Sequence, residues 1–180
     1  MDMLDSLQRA RNVERFKDEQ LQREDIISLI DAGRLAFSSN NQQVLRYTAT
    51  RKEEAIKRLL PHLHTNQEGQ TFSLIIVSAP VGSGHNVYID LGAALQNMLL
   101  FATRQNWGLQ HIDHFHSQKI ANKISLEHDR EVIAIIAAGQ AETFSLRETI
   151  TLNESTKTYL KDSHSHSPIL STKYLISWYE

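Results

Sequence analysis

The stretch Tyr88 to Ala102, YIDLGAALQNMLLFA, places apolar residues on almost every side of a helical projection. Leu91, Ala94, Leu95, Met98, Leu99 and Ala102 keep helical spacing, and Ala93, Leu100 and Phe101 fill much of the remaining circumference. A helix apolar nearly all round is buried, either in a core or against a second subunit. Its length, roughly 22 Å at 1.5 Å per residue, is too short to cross a bilayer, and Asp90, Gln96 and Asn97 interrupt it.

Helical and strand-like patterns alternate around this segment. Met3, Leu4, Leu7 and Ala10 form a weak helical stripe within residues 1–13, and Arg9, Arg11 and Arg15 cluster in and just after it. A second helix is predicted from about Arg23 to Ala36, with Ile26, Ile27, Leu29, Ile30, Gly33 and Leu35 on a broad apolar face. The run Phe37-Ser38-Ser39-Asn40-Asn41-Gln42-Gln43 reads as a loop rich in amides and hydroxyls. Such groups also suit the edge of a planar heterocycle. Val44 to Thr50 alternates as a strand. Thr50 and Glu53 have capping-box spacing for a helix that reaches Leu60 and stops at Pro61. Phe72 to Ala79 is a buried strand by its nearly unbroken apolar run.

Beyond the central helix, Gly108 is expected to cap a turn before a short strand, Leu109 to Ile112. Ser117 is expected to cap a helix through Ile124. Glu131 to Ala138 is another buried strand. Residues 140–167 are polar and read as an extended connector, and Lys173 to Tyr179 ends on the strand-like YLISWY. The order predicts a layered α/β or α+β domain with four or five strands.

Composition narrows the chemistry. The 180 residues include 19 basic and 21 acidic side chains, so no basic excess points to nucleic acid or anionic lipid. With no cysteine, disulfides, iron–sulfur clusters and thiolate zinc sites are excluded. The N-terminal stretch lacks the apolar core of a signal peptide, and a soluble cytoplasmic protein is expected. Val81-Gly82-Ser83-Gly84-His85 lies between a strand and a helix but lacks the third glycine and the later acid of a dinucleotide fingerprint, and reads as a connector. His111, His114 and His116 surround Asp113 on one short loop. A metal site needs three or four ligands held in geometry, so solvated or packed histidines are the expected reading and no metal is expected. There is no G-x-S-x-G elbow and no Walker A sequence.

Four segments, in order, resemble the FMN-dependent nitroreductase family. Arg11-Asn12-Val13-Glu14-Arg15-Phe16 is similar to its N-terminal R-R-S-x-R-x-F. Ala32 to Tyr47 is similar to A-x-x-A-P-S-x-x-N-x-Q-P-W-x-F. Asp90 to Ala102, followed by Trp107-Gly108-Leu109, is similar to D-x-G-x-A-x-Q-N-x-x-L-x-A. Val132 to Gly139 with Arg147 beyond is similar to the family's apolar strand ending in glycine and its later K-x-R.

The resemblance implies an α+β fold with a mixed four- to five-stranded sheet flanked by helices. It implies a flavin domain over residues 1–152, and a C-terminal extension, 153–180, that packs on the partner of a homodimer, with YLISWY as an exchanged strand. It implies FMN as cofactor and NAD(P)H as co-substrate, with a small-molecule acceptor such as a nitroaromatic or quinone reduced by a ping-pong mechanism. The flavin N5 then does the chemistry, and no protein residue is expected to be catalytic. Arg11, Asn12 and Arg147 would approach the phosphate and ribityl end. Ser38, Asn41 and Gln43 would contact the flavin from their loop, and Asp113 and His114 would line the ring edge. Glu14 stands where the family places a basic residue near the N1/O2 side of the ring, Ala10 where it often has an arginine, and Ser145 where K-x-R begins. Those departures leave a second possibility open, a flavin-binding or flavin-free dimer of this type with lost or altered turnover.

Overall fold

A computed structural model describes residues 2–10, 12–13, 15–65, 69–142, 145–162 and 164–177. Five helices and four strands build the main layers: α1 (Met3–Arg9), α2 (Arg23–Arg34), β1 (Arg46–Thr50), α3 (Glu53–Leu59), β2 (Ser73–Pro80), α4 (Asn86–Arg104), β3 (Trp107–His111), α5 (Ser117–Lys123) and β4 (Arg130–Gln140). The strands form an antiparallel sheet in the order β1-β2-β4-β3.

Both faces of β2 and β4 are covered, which is why their sequences are continuously apolar. On one face Ile75, Val77, Ala134, Ile136 and Ala138 pack with Leu29 of α2 and Leu91, Met98 and Ala102 of α4. On the other, Leu74, Ile76, Ile135 and Ala137 meet Ile56 and Leu59 of α3 and Ile120 of α5. A register shift between Val77 and Ser78 sets Val77 opposite Ala134 but Ser78 opposite Val132. A bulge reverses the parity of side-chain direction. Val132 therefore joins the α3/α5 core rather than the face of Ala134 and Ile136.

The central helix runs to nineteen residues and is buried on one side only. Val87, Asp90, Leu91, Ala94, Met98, Ala102 and Thr103 face the interior. Tyr88 and Ile89 are exposed, and a Cβ built on Gly92 meets nothing within 4 Å. Within one chain, the apolar circumference of α4 is thus only partly covered.

Several local expectations shift. Thr50 ends β1 instead of capping a helix; its hydroxyl accepts the Lys52 N–H, and α3 begins at Glu53, two residues later than the T-x-x-E spacing implied. Ser117 is the first residue of α5, capped by position from His116, because its hydroxyl donates to the Val132 carbonyl across to β4. Gly108 does not end a turn. Asn106, at φ 60°, takes the left-handed position, and Gly108 lies inside β3 opposite Gly139. A Cβ on Gly108 would come 2.9 Å from Val13, and one on Gly139 would come 2.8 Å from the Phe16 ring. The paired glycines form a notch that the N-terminal segment crosses. Backbone bonds fix it there, Val13 N–H to Leu109 O and Lys17 N–H to Gln140 O.

Residues 140–167, expected as a connector, hold a second sheet: β5 (Ser145–Ile150), β6 (Tyr159–Lys161) and β7 (His164–Leu170). Parallel pairing appears here, between β5 and β7, while β6 and β7 run antiparallel. Polar sequence hid these strands because most of their residues are incompletely buried. β5 packs against α1. Lys173 to Tyr179 does not continue as a strand in its described part: Thr172–Tyr174 make a 3-10 turn, Leu175 and Ile176 are exposed, and Trp178 and Tyr179 lie outside the described residues. A strand needs a neighbouring edge to satisfy its backbone, and this segment has no strand partner within the described chain. Among the described residues, no helix is long and apolar enough to cross a membrane.

Candidate functional site

The loop between α2 and β1 carries Ser38, Asn41 and Gln43 in an unusual backbone. Asn40, Asn41 and Gln43 all have positive φ, at 51°, 56° and 50°. Asparagine tolerates that region through local hydrogen bonding, whereas glutamine there is uncommon. The cost is held by contacts at both ends of the loop. At the start, the buried Asp90 carboxylate accepts two bonds through Oδ1, from the Ser39 N–H at 2.9 Å and the Ser39 hydroxyl at 3.1 Å. At the end, Arg130 donates to the Val44 carbonyl at 2.8 Å while also donating to the Ser78 carbonyl at 2.7 Å. Inside the loop, the Gln43 N–H donates to Ser38 Oγ at 3.1 Å and Gln43 Nε2 donates to Asn41 Oδ1 at 3.0 Å. The three residues named from sequence therefore form one hydrogen-bonded unit.

That loop roofs a cavity of about 220 Å³ between α2, α4 and β1. Gly33, Phe37, Leu45, Tyr47, Asp90 and Ala94 are among its walls. Burial raises the Tyr47 pKa, which keeps the phenol neutral as a donor. The space is smaller than the several hundred Å³ typical of a complete small-molecule site. Its walls and roof fit part of a planar, polar-edged ring: apolar surface below, the Gln43 amide and the Ser38 hydroxyl at the rim.

The other predicted residues lie elsewhere. Asn12 bridges to Leu109 on the outer edge of β3, and its Oδ1 stands 3.5 Å from the His111 N–H. His111 Nδ1 is 2.8 Å from Asp113 Oδ1. Asp113 and His114 are both exposed, in the loop leaving β3. The pairings Arg46–Ser78 and Ser78–Val132, with the Ser117 bond to Val132, put this loop and the 38–43 loop at the same end of the sheet. They sit on opposite edges, three strand spacings apart, roughly 14 Å. Arg147 is on β5 of the second sheet, beside Ser167. Arg11 and Glu14 lie outside the described residues. One chain thus gathers Ser38, Asn41 and Gln43, separately gathers Asn12, Asp113 and His114, and leaves Arg147 apart.

Asp90 and Arg130 were not singled out as site residues by sequence reading. Asp90 had a signal, as the only acid within a largely apolar helix. Arg130 had none, since its role depends on the pairing of β2 with β4.

The sheet order, the long helix packed across it and the loop before β1 define the nitroreductase fold. A nitroreductase family protein from Clostridium novyi NT superposes at TM-score 0.70 and 18% identity, covering 79% of this chain and 86% of that one. A protein described as a nitroreductase, in complex with FMN, from Desulfovibrio desulfuricans gives TM-score 0.68 at 24% identity, covering 78% and 86%. An FMN-dependent nitroreductase from Clostridium difficile R20291 gives TM-score 0.66 at 19% identity, covering 78% and 88%. No family model matches the sequence, and no curated protein matches it.

Proposed function

We propose that the protein is a homodimeric FMN-dependent oxidoreductase. It takes hydride from NAD(P)H and passes reducing equivalents to a nitroaromatic, a quinone or a similar small acceptor, the two substrates using one place in turn. The observation that carries this reading is the Asp90- and Arg130-pinned loop of Ser38, Asn41 and Gln43 over an apolar cavity, in a nitroreductase fold. Bound FMN would supply the hydride chemistry; the chain's own residues bind, orient and tune it.

In this reading Ser38, Asn41 and Gln43 hold the ring by its polar edge, and Asp113 and His114 lie along another edge. Asn12, Arg11 and Arg147 serve the ribityl and phosphate end. The two groups of residues, on opposite sheet edges, come together when a second copy is placed against the open side of α4. That same side carries exposed Tyr88 and Ile89 and the unobstructed Gly92. The small cavity of one chain is then half of a site completed by its partner.

A second reading, a flavin-binding or flavin-free dimer without turnover, is favoured by Glu14, Ala10 and Ser145 in place of positive or hydrogen-bonding family residues. A carboxylate near the N1/O2 side would oppose the anionic reduced flavin. Anaerobic reduction separates the two. A yellow protein bleached by NADH or NADPH and reoxidised by a quinone supports the enzyme; a yellow protein that neither nucleotide bleaches supports the second reading.

A further inference from the structure

Leu63 and Phe115 pair as an isolated antiparallel bridge between the loop after α3 and the loop after β3. The His64 N–H donates to the His114 carbonyl and the His116 N–H to the His62 carbonyl, each at 2.9 Å. Leu63 belongs to the core and Phe115 packs against it. Successive side chains on an extended segment point to opposite faces. The inward pair therefore turns His62, His64, His114 and His116 to the outer face, two from each segment. The His64 ring lies 5.9 Å from that of His116 and 6.4 Å from that of His114, centroid to centroid. His64, His114 and His116 are exposed, and His62 is half-buried.

We propose that His62, His64, His114 and His116 form a binding site for a divalent ion that prefers imidazole, Zn²⁺, Ni²⁺ or Cu²⁺, with His64 as its central ligand. Neutral imidazole nitrogens are the common protein ligands of these ions, at about 2.0–2.1 Å for zinc. Two rings on one ion then have centroids roughly 5–6 Å apart. The His64–His116 spacing lies at the upper end of that range, and the His64–His114 spacing lies a few tenths of an ångström beyond it. Among the described residues no group of three or more histidine or acidic side chains is yet placed to hold a metal ion. Ion binding therefore draws the rings together by rotation about their side-chain bonds, which exposure permits. The backbone bridge supplies the fixed part of the site. Lys119 and Lys123 lie near enough for their charges to act on His62, and they oppose a dication there. His111 takes no part, since it is paired with Asp113.

Zinc titration of the untagged full chain by calorimetry, with cupric-ion electron paramagnetic resonance, tests the site without reference to flavin or turnover. His64→Gln and His116→Gln change exposed rings, and His85→Gln serves as a control distant in the sequence. One equivalent of Zn²⁺ is expected in the micromolar range, weakened at least tenfold by His64→Gln and by His116→Gln and unchanged by His85→Gln. The Cu²⁺ spectrum should show coupling to at least two imidazole nitrogens. Zinc binding that fails to saturate below millimolar concentration, or that survives the double change His64→Gln/His116→Gln, overturns the proposal.

Discussion

Replacing Gly139 with alanine tests how the N-terminal segment is seated. The new Cβ would stand 2.8 Å and 2.9 Å from Phe16 Cδ1 and Cγ and 3.2 Å from its Cβ, so the ring cannot escape by turning its far end alone. Phe16 is 5% exposed and packs on Phe72 at a ring separation of 6.1 Å. Overpacking of this kind costs about 1–3 kcal/mol. For a domain of this size that lowers Tm by roughly 2–12 °C. The background decides whether Phe16 is the cause. In Phe16→Ala the obstructing ring is gone, and alanine is favoured over glycine inside a strand by about 0.5–1 kcal/mol. Gly139→Ala should therefore become neutral or stabilising there, giving a coupling of about 1–3 kcal/mol in a double-mutant cycle read by urea denaturation. An equal penalty in both backgrounds would refute the notch. Because the same segment carries Asn12, the single change should also weaken FMN binding.

Other expectations follow from the loop and the second sheet. Asp90→Ala removes the acceptor of two Ser39 bonds and should cost about 1–3 kcal/mol; Asp90→Asn, which keeps an oxygen acceptor, should cost less. Thermal melts and fluorescence titration with FMN check both effects, and FMN affinity equal to the parent in Asp90→Ala would detach the loop from the cofactor. In the second sheet, bonds from Tyr159 and then His166 hold the Glu148 carboxyl below its ordinary 4.5. A carboxyl depressed by folding stabilises the native state above its unfolded value and loses that contribution as pH falls through the lower native value. Protection factors of the β7 amides, corrected for the intrinsic pH dependence of exchange, should therefore fall below about pH 4.5, and Glu148→Gln should flatten that dependence between pH 5 and pH 3.

The main layers were legible because their signals are local. β2 and β4 are buried on both faces, so their apolar runs mark them unaided, and α2 and α4 carry strong helical spacing. The second sheet was not legible, since β5, β6 and β7 are polar and pair across intervening turns. Gly108 shows the same limit: its meaning depends on Gly139, thirty-one residues away, and on Val13 and Phe16 lying above both. The Ser38–Gln43 loop was visible as a set of donors and acceptors, but its support by Asp90 and Arg130 required the fold. His62 and His64 drew no notice beside His114 and His116 because some fifty residues separate them. The Leu63–Phe115 bridge brings them together.

Stoichiometric FMN binding tests the central claim most directly. The purified chain, titrated with FMN and followed by quenching of flavin fluorescence, should bind one FMN per chain. Ser38→Ala and Asn41→Ala should each weaken that binding, while loss of their loop hydrogen bonds lowers the Tm of the flavin-free protein by only about 2–4 °C. A chain that stays colourless, quenches no added FMN and shows no rise in Tm with it would contradict the flavin reading.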